Sequence, residues 1–535
     1  MAPLFVGSNS DDSRIRSDRV GLAASTSNPA SADTGDVYYN STDNKLTVYN
    51  GSDWASAGGG GTAEFTASGT LSNGQTVVIT SDGKVAGVST SQVTQSVGTA
   101  VVADNAQTNN IAVSYDSSSE KIVIAYKDLD DSNYGKAVVG TVSGSTITFG
   151  SPVTFASAST NEINSVYDPS NEKVVIVFQD TANVSRGKAI VGAVSGTSIS
   201  FDGSETTFET GNTSLISSTF DSSNNKVVIS YKDNDDSGKG KAVVGTVSGS
   251  SISFGTPTTF HDAGTDSNVV VYDSNAQKIV IFYQDIPAGA GYIANCVVGT
   301  VSGTSISYGS EVSVTSNRWV PYSGTYDASQ QVVLVVYRDI TDSNKSKVIA
   351  GSISDTSISF GSAVAYTPNQ SVPISITHHT AAGKNIISFR DGSGTNGRFT
   401  IATASGTTLT VGGETDFESG DTQRIHSTYD SVNKKVIIAY RDDDNSDRTT
   451  AIAINPAFTD TNLTSTNFIG FSDAAYSDGA TATVQIEGSV DDAQSGLTTA
   501  RKHYVQTDGT LSTTAGDPSV VAGTAISGTK IIIET

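Results

Sequence analysis

A pattern of hydrophobic and polar positions repeats through the middle of the chain. In one copy Tyr115-Asp116 ends a short apolar run, a polar turn follows, and a β-branched run from Ile122 to Tyr126 leads to Asp128. Two such runs around a polar turn predict a β-hairpin. The second aspartate of the hairpin returns at steps of 51 to 54 residues, at Asp128, Asp180, Asp233, Asp285, Asp339, Asp391 and Asp442. This constant spacing indicates seven copies of one structural unit.

A second motif lies between the hairpins, as in 140–150, where Val, Ile and Phe alternate with Ser and Thr around a Ser-Gly pair. The alternation predicts two more strands joined by a tight turn. Each repeat of about 52 residues therefore has four strands and no helical pattern, as a propeller blade does. We predict an all-β fold, a seven-bladed β-propeller of four-stranded repeats. An open array is the alternative, although arrays need capping repeats and the end copies look ordinary.

We label the strands of one repeat a (Ile-Ser-Phe-Gly), b (ending in Tyr-Asp), c (Lys-Val-Val-Ile-x-Tyr) and d (Ala-Val-Val-Gly-Thr-Val). Counting each blade as a-b-c-d, from a first strand near 96–102, predicts seven whole blades without strand exchange between the chain ends. A different starting strand would allow such an exchange.

The loops of the predicted blades differ between the two faces of the disc. The a–b and c–d loops share one face and vary from copy to copy, whereas the b–c and d–a turns on the other face are near-copies. Loops that are free of folding constraints can carry recognition. The a–b and c–d face is therefore the predicted binding surface, with drift among unconstrained loops as the alternative.

The repeat region divides the chain into four predicted parts. Residues 1–62 form an N-terminal attachment segment with an aromatic-rich hairpin, 63–91 a connecting β-hairpin, 92–456 the seven-repeat propeller, and 457–535 a small C-terminal β module. A glycine run near residue 60 predicts a hinge between the first two parts.

Composition narrows the classes of partner. A net charge of -23, from 31 basic and 54 acidic residues, argues against nucleic-acid binding, which needs a basic surface. No segment approaches the roughly 18 apolar residues of a membrane span, so we expect no membrane insertion. The single cysteine, Cys296, allows neither an intramolecular disulfide nor a cysteine-based zinc site.

Three c–d loops are rich in aspartate and are the candidates for a metal site. Calcium takes several oxygen ligands from a short loop, which makes it the candidate cofactor. None of these loops continues to the glycine and distal glutamate of an EF-hand, and solvated turns are the alternative; otherwise we expect no cofactor. The candidate ligands are Asp128, Asp130, Asp131, Asp233, Asp235, Asp236, Asp442, Asp443 and Asp444.

The variable loops also hold candidate ligand-binding side chains. Arg318, Trp319 and Tyr322 follow one another in one loop, and aromatic rings beside a guanidinium suit a glycan or protein partner. Trp319 packed between blades is the alternative, and we favour it slightly. His261 and Tyr292 are the corresponding candidates in two neighbouring loops.

No sequence motif for catalysis is found. The five histidines show no HExxH spacing, and the nucleophile elbow, the P-loop and the Ser-x-Asp-x-Gly-x-Thr-Trp box of sialidases are missing. Paired carboxylates assembled from different blades stay open. We expect a protein that is not an enzyme.

Two segments outside the repeats resemble parts of phage proteins. Residues 38–54, with Tyr38-Tyr39-Asn40 and Asp43 to Leu46 before Trp54, are similar to a hairpin near the ends of phage tail fibres and other virion proteins. His503-Tyr504-Val505 and 523–533 resemble a C-terminal module of phage fibres and decoration proteins.

This resemblance implies a virion protein, made in the host cytoplasm and exposed on the particle as a tail fibre or appendage for host adsorption. It implies contacts with other virion proteins through the N-terminal segment, a host-surface glycan or protein as receptor, and a homo-oligomer, with trimers common among such fibres. The alternatives are a glycan-depolymerising, tailspike-like enzyme, a bacterial surface adhesin, and a capsid-attached fibre.

Overall fold

The computed structural model describes residues 61–286, 293–367, 370–372, 374–516 and 518–534, and the backbone of four strands before residue 57. The chain divides into two compact units. One unit is continuous, Gln92–Thr459, and the other combines Met1–Ser91 with Asp460–Thr535.

The continuous unit is a seven-bladed β-propeller whose blades follow the order b, c, d, a from the axis outward. Strands c are Lys121–Asp128, Lys173–Asp180, Lys226–Asp233, Lys278–Asp285, Val332–Asp339, Lys384–Arg390 and Lys435–Asp442. Strands d are Tyr134–Ser143, Arg186–Ser195, Lys239–Ser248, Ile293–Ser302, Lys345–Ser354, Asn396–Ser405 and Arg448–Asn455. Both sets pair antiparallel with their neighbours along the blade, as the alternating pattern predicts.

Strand a is made of two short segments. The first segments are Ser96–Val97, Thr146–Phe149, Ser198–Ser200, Ser251–Phe254, Ser305–Tyr308, Ser357–Phe360 and Thr408–Val411. Three second segments, with the strands b that follow them, are Thr206–Glu209 with Thr213–Asp221, Val312–Thr315 with Trp319–Asp327, and Val364–Thr367 with Ile374–His379. In four places the second segment and strand b form one 16-residue strand, namely Val101–Asp116, Val153–Asp168, Thr258–Asp273 and Thr415–Asp430.

The predicted composition of a blade is wrong in one respect. Strand a pairs with strand d of the preceding repeat, as Val153 does with Ala137, so it completes the preceding blade and then crosses to the axis. The first strand a therefore completes the seventh blade: Val101 pairs with Ala451 and Ser96 with Asn455. The chain ends of the propeller do exchange a strand. The predicted a–b loops are crossing segments, several of them inside continuous strands.

The ring closes through the same contacts that join every pair of blades. Each strand b contacts the next strand b, and that of the seventh blade contacts that of the first. Hydrophobic clusters lie between blades, and one of them joins Ile122 and Ile124 of the first blade to Ile437 and Ala439 of the seventh. The repeats therefore form a closed ring of blades and not an open array.

The described residues of the second unit form three sheets, one of which combines strands from both ends of the chain. Strands Ala24–Ser25, Val37–Asn40, Lys45–Tyr49 and Trp54–Ser56 form a four-stranded sheet that includes the predicted aromatic hairpin. A five-stranded sheet has the order Thr62–Thr66, Thr481–Gln485, Phe468–Ser472, Thr76–Ile79 and Val85–Gly87. Another has the order Val490–Asp491, Ile531–Ile533, Val520–Ala525, Lys502–Val505 and Leu511–Ser512.

The connecting hairpin and the C-terminal module are therefore not separate domains. Phe468 pairs with Val78, and Thr481 pairs with Thr66, so residues 63–91 and 460–534 share sheets. Val78 and Val505 also belong to one buried cluster.

Two short strands, Thr90–Val93 and Phe458–Thr461, lie at the sequence boundaries of the units. Thr380–Ala382 is a 3-10 helix. Among the residues that the structure describes, no helix is long and apolar enough to cross a membrane.

The pairing of the first strand a with the seventh blade can be tested directly with an engineered disulfide. The Val101→Cys, Ala451→Cys pair, once oxidised, should raise the free energy of unfolding by about 5 kcal/mol, because it closes a very long loop of the unfolded chain. Denaturant melts with and without reductant measure this difference.

The matched control is Thr141→Cys with Thr148→Cys, a cross-strand pair within one hairpin. Its loop is short, so its disulfide should stabilise the protein much less. Equal gains from the two disulfides, or failure of the first pair to oxidise, would contradict closure by residues 96–107.

Candidate functional site

The repeated Tyr-Asp pair at the end of strand b serves the scaffold. The buried Asp116 carboxylate accepts hydrogen bonds from the backbone N–H groups of Ser118 and Ser119 at 3.0 and 3.1 Å, which fixes the b–c turn. Tyr167, of the second blade, reaches the turn of the first through its hydroxyl, 3.3 Å from the Ser118 nitrogen. The same turn contact by aspartate recurs at Asp168, Asp221, Asp273, Asp327 and Asp430.

In the sixth blade His379 replaces the aspartate and keeps its role. Its Nδ1 accepts the N–H of Ala382 at 3.0 Å, and its Nε2 donates to the Lys434 carbonyl at 3.0 Å. The bond that Nδ1 accepts requires a neutral ring, and burial lowers the pKa of His379 to about 4. This histidine is a substituted turn residue.

The acidic c–d loops form tight turns. Asp128 accepts the N–H groups of Asp130 and Asp131 at 2.9 and 3.0 Å, and its second oxygen lies 2.7 Å from the Lys136 ammonium. Lys136 also pairs with Asp131 at 2.9 Å. The Asp130 carboxylate turns away to accept the Gln107 N–H at 2.9 Å. Turn formation and lysine pairing occupy these oxygens, which do not converge on one point.

The other two acidic loops use their carboxylates in similar ways. Asp233 and Asp236 share Lys241 at 2.7 and 2.9 Å, and Asp235 accepts the Asn212 N–H. In the seventh blade the interactions are those of Asp442 with the Asn445 N–H, Asp443 with Arg441, and Asp444 with the Asp421 N–H. No group of three or more potential metal-ligating side chains occurs in the part of the chain that the structure describes. The three acidic loops are thus structural turns, and calcium binding by them stays a prediction.

His261 lies in a buried network instead of on a binding loop. Its strand, Thr258–Asp273, runs from the third blade to the fourth, and the imidazole bridges two carboxylates. Nε2 lies 2.9 Å from Asp285 and Nδ1 contacts Glu311, while the ring packs on Tyr283. Tyr292 lies outside the described residues.

The predicted cluster of Arg318, Trp319 and Tyr322 is divided between three environments. Trp319 is fully buried, and its indole N–H donates to the Tyr283 carbonyl at 3.1 Å. Arg318 is exposed on the c–d face, and its backbone N–H donates to the Thr341 hydroxyl. Tyr322 lines the axis of the ring. Sugar stacking on Trp319 is therefore excluded, and the packing alternative is confirmed.

A change at two positions of the fourth blade explains why Trp319 packs against it. In the first blade Phe155 of strand a packs against Gly135, where a β-carbon would lie 2.3 Å from the ring. In the fourth blade these two positions are Val314 and Ala294. The smaller valine leaves space that Trp319 fills, with its ring 5.1 Å from that of Tyr337.

A cavity of about 380 Å³ lies on the axis of the propeller. All seven strands b contribute to its wall, at positions three to six residues before the aspartate or His379 that caps the b–c turn. These positions are in the middle of the strands b. Its polar lining residues are Asn110, Glu162, Asn164, Ser217, Ser218, Asn268, Tyr322, Ser323, Ser375, Arg424, His426 and Ser427.

Bulges in the strands b place some of these side chains at the cavity. The pairing of strands b and c shifts register at this level, for example between Asn161 and Asn164. The bulges contain residues with a left-handed backbone and φ between 46 and 56°, namely Asn110, Glu162, Leu215, Ser267 and Arg424. These are conformations that non-glycine residues rarely adopt. They connect neighbouring blades, since Asn110 donates to Asn161 at 2.5 Å.

The charged groups of the cavity come from the seventh and second blades, which lie on either side of the first. The Arg424 Nε donates to the Asn109 side chain at 2.7 Å, and the Arg424 charge acts on Glu162. Burial raises the pKa of Glu162 despite that charge and the N–H groups of Leu215 and Ile216. Burial, with Arg424 nearby, lowers the pKa of His426 to about 4, so its ring is neutral at pH 7.

Sequence reasoning missed the axial cavity because it searched for loops. The available signal was in strand b itself, where the residues before each Tyr-Asp pair differ widely between copies. Such a comparison gives a list of positions, but only the ring shows that they converge.

Two variants test the packing role of Trp319. Trp319→Ala should cost about 3–5 kcal/mol, because it leaves a cavity between two blades. The triple change Ala294→Gly, Val314→Phe, Trp319→Thr restores the pattern of the first blade and should recover most of that loss in denaturant melts. A triple variant that is no more stable than Trp319→Ala would contradict this packing account.

The neutral His379 predicts a dependence of stability on pH. Its pKa rises from about 4 in the folded chain to 6.5 in the unfolded chain, so acid protonates the unfolded state first and stability falls between pH 6.5 and 4. His379→Asn keeps both an acceptor and a donor but does not titrate, and should reduce that fall by roughly 3 kcal/mol. Urea melts across this pH range measure the slope, and identical slopes for the two proteins would contradict the assignment.

Comparison with known proteins gives no family. No family model matches the chain, and no curated protein matches its sequence. Among solved structures it is similar to a chain of a mitotic checkpoint complex (8% identity, TM-score 0.42, 67% of this chain and 91% of that one). It is also similar to a Lactobacillus plantarum protein (9%, 0.41, 57% and 83%) and to a leech intramolecular trans-sialidase (10%, 0.38, 69% and 70%). Likenesses this distant carry no argument about function.

Proposed function

We propose that the chain is a non-enzymatic virion structural protein, a tail fibre or similar appendage, whose propeller contacts a glycan or protein on the host surface. The observation that carries the proposal is the division of the chain. Both segments that resemble phage fibre proteins, 38–54 and 503–533, belong to the unit built from the chain ends, and the propeller forms a unit of its own. One unit is thus available for attachment to the particle and the other for recognition.

The axial cavity supports binding in preference to hydrolysis. Glycoside hydrolysis generally uses two carboxyl groups on either side of the scissile bond. The described residues that line the cavity supply one, Glu162. The nearby acidic turns bind their own backbone and lysines, as Asp128 does. We accordingly favour a receptor-binding role over a depolymerising enzyme.

Attachment and oligomer formation follow from the same proposal. The unit of the chain ends would contact other virion proteins, and copies of the chain would associate, as trimers if the likeness to fibres extends that far. The protein would be made in the host cytoplasm and displayed on the particle.

Two measurements test this function. Antibodies against the purified chain should label one defined site on the particle in electron micrographs, and the fluorescent full-length protein should bind host cells and reduce phage adsorption. Virions without label would contradict the virion role. Release of oligosaccharides from host polysaccharide would contradict the non-enzymatic assignment.

A further inference from the structure

The positions that line the axial cavity differ between blades, although positions beside them repeat. Five of the seven copies have threonine eight residues before the residue that caps the b–c turn, which is Asp116 in the first blade. This threonine hydrogen-bonds the c–d turn of the preceding blade, as the Thr160 N–H does with the Asn133 carbonyl. Six residues before the capping residue the copies have Asn110, Glu162, Leu215, Ser267, Pro321, Pro373 and Arg424, of which Asn110, Glu162 and Arg424 line the cavity. The scaffold is uniform while the cavity is asymmetric.

The charged side chains lie on one side of the cavity. The seventh, first and second blades contribute Arg424, His426, Asn110, Glu162 and Asn164. The opposite wall, from the fourth to the sixth blade, contributes Tyr322 with Asn268, Ser323 and Ser375. A polar cavity that contains one aromatic side chain suits a ligand that has hydroxyl groups around a flat C–H face.

In the wall from the seventh, first and second blades, some described side chains have hydrogen-bonding groups without a protein partner. Among the described residues, the His426 ring has no hydrogen-bond partner, and the Arg424 guanidinium has one, through Nε. The two remaining amino groups of Arg424 can donate, and a neutral imidazole can both donate and accept. Unpaired polar groups in a partly enclosed cavity are stabilised when a ligand or water forms hydrogen bonds with them.

The cavity presents one basic and one acidic side chain, Arg424 and Glu162. Burial lowers the pKa of His426 to about 4, which makes its ring neutral at pH 7. A charged ligand would lose hydration on entering this partly enclosed site, which costs desolvation energy. An uncharged ligand with several hydroxyl groups avoids that cost.

We propose that the axial cavity binds one uncharged pyranose unit of a glycan, with its hydroxyl groups on Arg424, His426 and Asn110 and its C–H face against Tyr322. This proposal rests on the proposed function and specifies the chemical class of receptor that the propeller binds. Binding of the sugar itself does not require the protein to come from a virion.

Saturation-transfer NMR on the full-length protein tests the site, with the methyl glycosides of glucose, galactose, mannose and N-acetylglucosamine as probes and methyl glucuronide as the charged comparison. At least one neutral glycoside should bind with a millimolar dissociation constant, more tightly than the glucuronide. Arg424→Gln and His426→Phe should each weaken binding about tenfold, the effect of losing a hydrogen bond to a ligand.

The matched control is Arg186→Gln, which removes an arginine that does not line the cavity and should leave binding unchanged. Thermal melts establish that each variant is folded, and His426→Phe provides the test if Arg424→Gln is not. No binding of any neutral glycoside, tighter binding of the glucuronide, or unchanged binding in both cavity variants would overturn the proposal.

Cell binding separates this proposal from the function on which it rests. If the labelled protein binds host cells but no neutral glycoside binds, or the cavity variants bind glycosides as the wild type does, the cavity proposal fails and the receptor-binding role stands. If the glycoside binds but host cells and virions do not interact with the protein, the sugar site stands and the virion role fails.

Discussion

The interface between neighbouring blades is the constraint on which the propeller depends. A four-stranded sheet of this length cannot bury its two apolar faces alone, so each must be covered by the next sheet. The glycine at the end of the Ile-Ser-Phe motif shows how tight the interface is. A β-carbon on Gly150 would lie 1.8 Å from the Thr197 carbonyl oxygen of the next blade, and the contact recurs at Gly203, Gly255, Gly309 and Gly361.

Closure of the ring uses this interface once more, with strands from opposite ends of the propeller. Gly98, on the first strand a, packs against the Ser145 carbonyl of the first blade. Gly412 has no such neighbour, since the seventh blade takes its strand a from the N-terminal side and lacks the d–a turn. Residues from both ends of the repeat region therefore contribute to the free energy of ring closure.

A uniform scaffold allows the axis to vary. Asp116 and its equivalents cap the turns, and Thr160 and its equivalents join blades, so the strands b keep their places whatever the axial side chains are. The fourth blade shows the limit of this tolerance: where Phe155 is replaced by Val314, Trp319 must fill the space. Glu162, Arg424 and His426 differ from their equivalents in the other blades and line the cavity.

The sequence by itself determined the strand content and the seven repeats, because these follow from local periodicity and turn chemistry. The resemblance to fibre proteins stays a prediction. Only the tertiary structure decided that strand a completes the preceding blade, that residues 63–91 share sheets with 460–534, and that Asp128 pairs with Lys136. It also separated Trp319 from Tyr322 and gathered Glu162, Arg424 and His426 at one cavity. Local pattern specifies each strand and turn, whereas contacts between residues hundreds of positions apart depend on how the ring closes.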